Sequence, residues 1–150
     1  MRIRIQRTTD LANRIIRTLD AADAAATADD LAKATGTTPD MVRRLMMQLV
    51  ATGWIDSTRG RNGGYRLKVP GSSISLLALI EEMEGPVDDG VCVLVGGPCG
   101  SDPVCAIHDA WMEARAALTT RLAEISITGP RHPDVLDPAP TARVSGDAHP

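Results

Sequence analysis

The chain has 150 residues and a formal net charge of −3, a size that allows one domain, or one small domain with an appended helix. It has no Phe, one Tyr and two Trp, so its core must come from Ala, Leu, Ile, Val and Met; no run approaches the ~18 apolar residues of a membrane span, and no apolar N-terminal stretch resembles a signal peptide. Charge is unevenly placed: residues 1–70 carry twelve Lys or Arg against seven Asp or Glu, and residues 71–150 carry four against twelve, so one end suits a polyanion and the other does not.

The spacing of Leu11, Ile15, Ile16 and Leu19 predicts a first helix from Thr9 to Ala25, capped by Thr9 or Asp10. A short second helix is expected over Ala28 to Thr35, with Gly36 where a helix end favours positive φ. A third follows in TTPDMVRRLMMQLVATG, with Thr38 as cap, Pro39 in its first turn and Gly53 at its end. Val42, Leu45 and Leu49 form its inward face, which leaves Arg43, Arg44, Met47 and Gln48 outward or flanking. Next, WIDSTRGRNGGYRLKV reads as two short strands joined at Arg59-Gly60-Arg61-Asn62-Gly63-Gly64, and its Asn-Gly pair is a strong hairpin signal.

Three helices followed by a hairpin with a basic tip make a winged helix-turn-helix. The expected partner is double-stranded DNA, with the third helix in the major groove, where Arg reads guanine and Gln reads adenine. Thr38, Arg43, Arg44 and Gln48 are the candidate contacts on the helix side; Arg59, Arg61 and Asn62 are those of the wing.

Beyond Pro70, SISLLALIEEMEG predicts a fourth helix capped by Ser73 or Ser75. From about Pro103 to Ile127 a longer helical pattern runs through Cys105, Ile107, Trp111, Ala114, Leu118, Leu122 and Ile125. With little domain left to cover that apolar face, a partner subunit is expected there. A homodimer also suits winged-helix recognition of a palindromic operator, whose half-sites lie ~34 Å or a multiple apart. From Gly129 the chain holds five of its ten prolines and little apolar periodicity, the composition of a disordered tail. The expected organisation is a winged helix-turn-helix over 1–70, a loop with dimerisation helices over 71–128, and the tail over 129–150. The fold class is mainly α with a small β-hairpin wing.

Between the last two helices lies CVLVGGPCGSDPVCAIH, which holds all three cysteines of the chain: Cys92, Cys99 and Cys105. An odd count argues against a disulfide framework, and with no signal peptide the expected location is cytoplasmic. Clustered reduced thiols point to a metal, because thiolates are the soft ligands of iron–sulfur clusters and zinc. Gly96, Gly97, Pro98, Gly100 and Pro103 favour turns and allow backbone N–H groups to approach sulfur. His108 follows Cys105 by one helical turn and shares its face, so a fourth ligand is close at hand.

These residues carry a resemblance. RGRNGGYRL, and then SISLLALIEEMEG followed at once by the three-cysteine loop and a long helix, resemble the IscR/NsrR group of winged-helix regulators, the Rrf-two family, over about residues 1–127. The resemblance implies a homodimeric transcription regulator whose loop binds an iron–sulfur cluster that alters DNA affinity, with a four-iron cluster favoured over a two-iron one. CAIHDAW resembles the IscR pattern, which implies His108 as fourth ligand and a role in iron–sulfur cluster biogenesis. TTDLANRIIRTL resembles the start of the nitric-oxide-sensitive branch, which implies Asp10 of the other subunit instead. The closer N-terminal match is to that branch, so the expectation is a repressor sensing nitric oxide or redox state. A DNA-binding protein with a structural zinc site on the three cysteines and His108 is the alternative of another class. No nucleophile–base pair, phosphate loop or paired-carboxylate motif suggests an enzyme.

Overall fold

The computed structural model describes residues 5–60, 63–94, 96–100 and 105–130. Along the chain run α1 (Arg7–Asp20), α2 (Ala28–Thr35), α3 (Pro39–Ala51), β1 (Ile55–Thr58), β2 (Gly64–Leu67), a 3-10 turn (Gly71–Ser73), α4 (Leu76–Glu84) and α5 (His108–Glu124). The expected mainly helical architecture with a two-stranded hairpin is present.

Helix α1 differs from expectation at both ends. It begins at Arg7, and Thr9 lies buried within it rather than capping it. Its N-cap, Gln6, makes no side-chain cap; the Glu84 carboxylate accepts from the Gln6 N–H and the Thr9 hydroxyl instead. The helix ends at Asp20 rather than Ala25, because Ala26 pairs with the hairpin. Its N–H donates to Tyr65 O at 3.0 Å and its carbonyl accepts from Tyr65 N–H at 2.8 Å. That pairing needs Gly64: a Cβ there would meet the Ala26 carbonyl oxygen at 2.7 Å.

The caps of the next two helices are local. Thr27 and Asp30 form a capping box on α2, and Gly36 closes that helix at φ 68°. Thr38 accepts from the Met41 N–H at the start of α3. Antiparallel pairing of β1 with β2 sets Asp56 opposite Arg66, a favourable cross-strand charge pair.

One core spans the chain. Leu11, Ile15 and Ile16 of α1 pack with Leu31 of α2 and with Val42, Leu45, Met46 and Leu49 of α3. Ile74, Leu79 and Ile127, from beyond residue 70, belong to the same core. The end of α5 is stitched back onto this unit: Leu76 N–H donates to Ile125 O, Ile127 N–H to Ile74 O, and Arg17 Nη1 to the carbonyls of Ile127 and Gly129. Ser75, not Ser73, caps α4. Helix α5 starts at His108 rather than near Pro103, and Arg115 is its one residue buried within this chain. No helix among the described residues is long and apolar enough to cross a membrane. The expected tail falls, from residue 131 on, outside the described residues.

Candidate functional site

Two faces bring the predicted residues together. On the first, the period of α3 turns Val42, Leu45, Met46 and Leu49 into the core and leaves Arg43, Arg44, Met47 and Gln48 exposed. Met47 is 79% exposed. Arg43 Nη1 lies 2.6 Å from Asp40 Oδ1, an exposed i, i+3 pair that binds weakly and releases easily. A cleft of about 640 Å³ separates α3 from the hairpin, with Arg43, Met46, Met47, Val50, Arg59 and Tyr65 among its lining residues. Thr38 and Arg59 are both exposed, whereas Arg61 and Asn62 lie outside the described residues. Gln48 is not free: its Nε2 donates to the Glu82 carbonyl at 2.7 Å. Sequence reading missed that contact, since nothing local in α3 signals a partner in α4.

The second face is the cysteine loop. Its first arm folds on itself as a small hairpin, with Cys92 N–H donating to Gly97 O, Gly96 N–H to Cys92 O, and Cys99 N–H to Gly90 O. This brings the thiols close in pairs. Cys92 Sγ lies 3.8 Å from Cys105 Sγ, and Cys99 Sγ lies 3.3 Å from His108 Nδ1 and 3.9 Å from Met112 Sδ. His108 sits over Gly100, whose Cβ position would be 3.6 Å from the imidazole Cε1. Partial burial, and then the charges of neighbouring Cys92 and Cys105, raise the Cys99 thiol above its ordinary value; the Gly100 N–H, hydrogen-bonded to that thiol, pulls the other way. None of the three cysteines forms a disulfide.

Among the described residues no group of three or more His, Cys, Asp or Glu side chains converges tightly enough to hold an ion as it stands. The donors themselves, three thiols and an imidazole, are those that iron–sulfur clusters and zinc take. Asp10 is placed otherwise. It sits in the first turn of α1, its Oδ2 3.2 Å from Arg14 Nε.

Beside the loop, Arg115 is the one buried charged side chain among the described residues. It pairs with Asp88, reaches Asp89 Oδ1 at 3.4 Å and donates to the Val91 carbonyl at 3.1 Å. The sequence pattern gave no sign of it, because an Arg on an otherwise exposed helix reads as a solvated charge.

Comparison with known proteins bears on the family and the fold. A family model described as "Rrf2: Iron-dependent Transcriptional regulator" matches residues 5–129. Rv1287 of Mycobacterium tuberculosis, itself a candidate HTH-type transcriptional regulator, is 33% identical over 73 residues, covering 49% of this chain and 45% of the relative. The HTH-type transcriptional regulator IscR of Klebsiella pneumoniae is 33% identical over 86 residues, 57% of this chain and 52% of the relative. The chain thus spans about half the length of the curated relatives it matches. Among solved structures, the global cysteine regulator CymR of B. subtilis superposes with a TM-score of 0.69 at 22% identity, covering 84% of this chain and 94% of that one. That likeness establishes the shared fold.

Proposed function

The chain belongs to the Rrf2 family of transcriptional regulators, and from that premise we propose that it is a DNA-binding repressor that responds to nitric oxide or redox state through an iron–sulfur cluster on its cysteine loop. The observation that carries the reading is the pairwise approach of Cys92 to Cys105 and of Cys99 to His108 in a loop that leads straight into α5. Cys92, Cys99 and Cys105 would hold the cluster, a four-iron one by preference. In place of Asp10 of a second subunit, which the resemblance to the nitric-oxide-sensitive branch implies, His108 is proposed as fourth ligand within the same subunit, because it already touches Cys99; Asp10, paired with Arg14 in its own chain, is kept as the rival. When bound, such a cluster supplies iron that reacts with nitric oxide or an oxidant.

The residues of the chain do the rest. The loop's hydrogen bonds hold the thiols on one side of the entry to α5, and Glu84, at the end of α4 where the loop departs, anchors the start of α1. Arg43 and Arg44 of α3 face outward for the major groove, with Arg59 of the wing beside a phosphate backbone. Ile107, Met112 and Ile125, together with Val91, Val93 and Leu94 of the loop, stay exposed on one chain. Apolar side chains left uncovered on the loop, at both ends of α5 and at Met112 within it support the homodimer that a palindromic operator would require.

The experiment is anaerobic purification or reconstitution, followed by absorbance spectroscopy, iron, sulfide and zinc analysis, and DNA titration of loaded and metal-free protein. Sulfide-to-iron charge-transfer bands with unequal DNA affinities in the two forms are expected. A colourless protein with stoichiometric zinc would overturn the sensor reading.

A structural zinc site is the second reading, and a specific spacing favours it. Two thiolates on one tetrahedral ion, each at ~2.3 Å, stand ~3.8 Å apart, the separation of Cys92 and Cys105. The metal analysis decides between the two.

A further inference from the structure

We infer that Arg115 is the positioning residue of the cysteine loop: its buried guanidinium clamps the arm that carries Cys92 onto α5. The inference rests on the reading of the loop as a thiolate site for a metal. Every described neighbour of the guanidinium points the same way. Asp88 and Asp89 give it carboxylates, and Val91 gives it a main-chain carbonyl one residue before Cys92. The two aspartates also hold the arm's backbone, Asp88 Oδ1 accepting from Gly90 N–H at 2.9 Å and Asp89 Oδ1 from Val91 N–H at 3.0 Å. The clamp therefore fixes the segment that folds back to bring Cys99 N–H onto Gly90 O.

Burial makes the arrangement costly to leave half-made. Arg115 is 8% exposed and the one buried residue of α5, and a guanidinium removed from water needs its partners in place. Its fork meets three acceptors at once, which a lysine's point charge does not reproduce. Cys92, 5% exposed, lies on this arm one residue after the clamped Val91 carbonyl, whereas Cys105 reaches α5 directly, its carbonyl accepting from the His108 N–H at 3.0 Å. Loss of the clamp should therefore free Cys92 selectively. A general loosening of α5 would free Cys92 and Cys105 together.

The test begins with the metal-free 150-residue chain, reduced and anaerobic, comparing wild type with Arg115→Met, Arg115→Lys and the double variant Asp88→Asn/Asp89→Asn. Alkylation of each cysteine by iodoacetamide is followed by peptide mass spectrometry. Arg115→Met should speed Cys92 modification at least about tenfold relative to Cys105, the change in local opening expected when charge-assisted hydrogen bonds are lost. Arg115→Lys should recover only part of the protection. If Arg115→Met does not fold, the double aspartate variant carries the test, with a smaller acceleration at Cys92. In reconstituted protein, loss of the guanidinium that holds the Cys92 arm should weaken metal retention against a chelator by about 10–100-fold. An unchanged ratio of Cys92 to Cys105 rates in a folded variant overturns the clamp. Failure of wild type to take up any metal overturns the metal-site reading separately, and the alkylation ratio still decides whether Arg115 positions the arm.

Discussion

Gln48 Nε2 and the main-chain carbonyl of Glu82 meet at 2.7 Å, which ties the basic helix α3 to the last turn of α4. Two residues further on, the Glu84 carboxylate holds the start of α1. The turn from which the cysteine loop departs therefore touches both helices, and a side chain read from sequence as a base contact already has an internal partner.

Gln48→Ala should accordingly leave sequence discrimination nearly intact. The ratio of specific to random DNA affinity is expected to stay within about threefold, less than the ~1–3 kcal/mol that a lost bidentate base contact removes. Competition titrations with operator and random duplex measure it. A large, base-selective loss would return Gln48 to the reading of adenine.

Arg59→Ala and Arg43→Ala should weaken binding to any duplex and lower the slope of log affinity against log salt by about one each, as for a lost phosphate contact. Among the described residues Arg43 pairs with the exposed Asp40, a contact that costs little to give up for DNA. Titration at several salt concentrations is the measurement, and unaltered slopes in both folded variants would remove this face from the DNA interface.

Leu79→Ala should destabilise the winged helix as well as α4, by ~2–5 kcal/mol, because Leu79 is fully buried in the common core. Denaturant unfolding followed by circular dichroism and by tryptophan emission should give coincident transitions. Two separated transitions would mean that the segments before and after residue 70 fold independently.

His108→Ala should shift the charge-transfer spectrum of reconstituted protein and its reaction with nitric oxide, whereas Asp10→Ala should do little. The expectation follows from the 3.3 Å approach of His108 Nδ1 to Cys99 Sγ and from the pairing of Asp10 with Arg14. The opposite result assigns the ligand to Asp10 of a second subunit. Mixed dimers would then keep one normal site only when Asp10→Ala and a cysteine knockout lie on different chains.

Metal uptake should strengthen as pH rises. Burial and neighbouring thiolates raise the Cys99 thiol, so its proton persists to higher pH and must be displaced before a metal binds. Competition with a chelator between about pH 6.5 and 8.5 should show affinity increasing throughout. In metal-free protein Cys92→Ala should speed alkylation of Cys99 at fixed pH, since it removes one source of the upward shift; an unchanged rate would show that Cys92 does not act on it.

The caps and faces of the basic half were legible in the chain because their causes are local. Thr38, Gly36 and Pro39 act within one turn, and the 3.6-residue period of Val42, Leu45 and Leu49 sets which side of α3 meets the core. The cysteine spacing and His108 likewise announced a soft-donor loop, since ligand type is a property of residue identity. Tertiary structure decided whatever depends on residues far apart in sequence. Glu84 rather than a local side chain serves the start of α1, the hairpin captures Ala26 and ends that helix early, and Gln48 turns to α4. Arg115 shows the difference most sharply: on its own helix it reads as a solvated charge, and only the fold brings Asp88, Asp89 and Val91 around it. A guanidinium loses its water when packing encloses it, and packing is set by the whole chain.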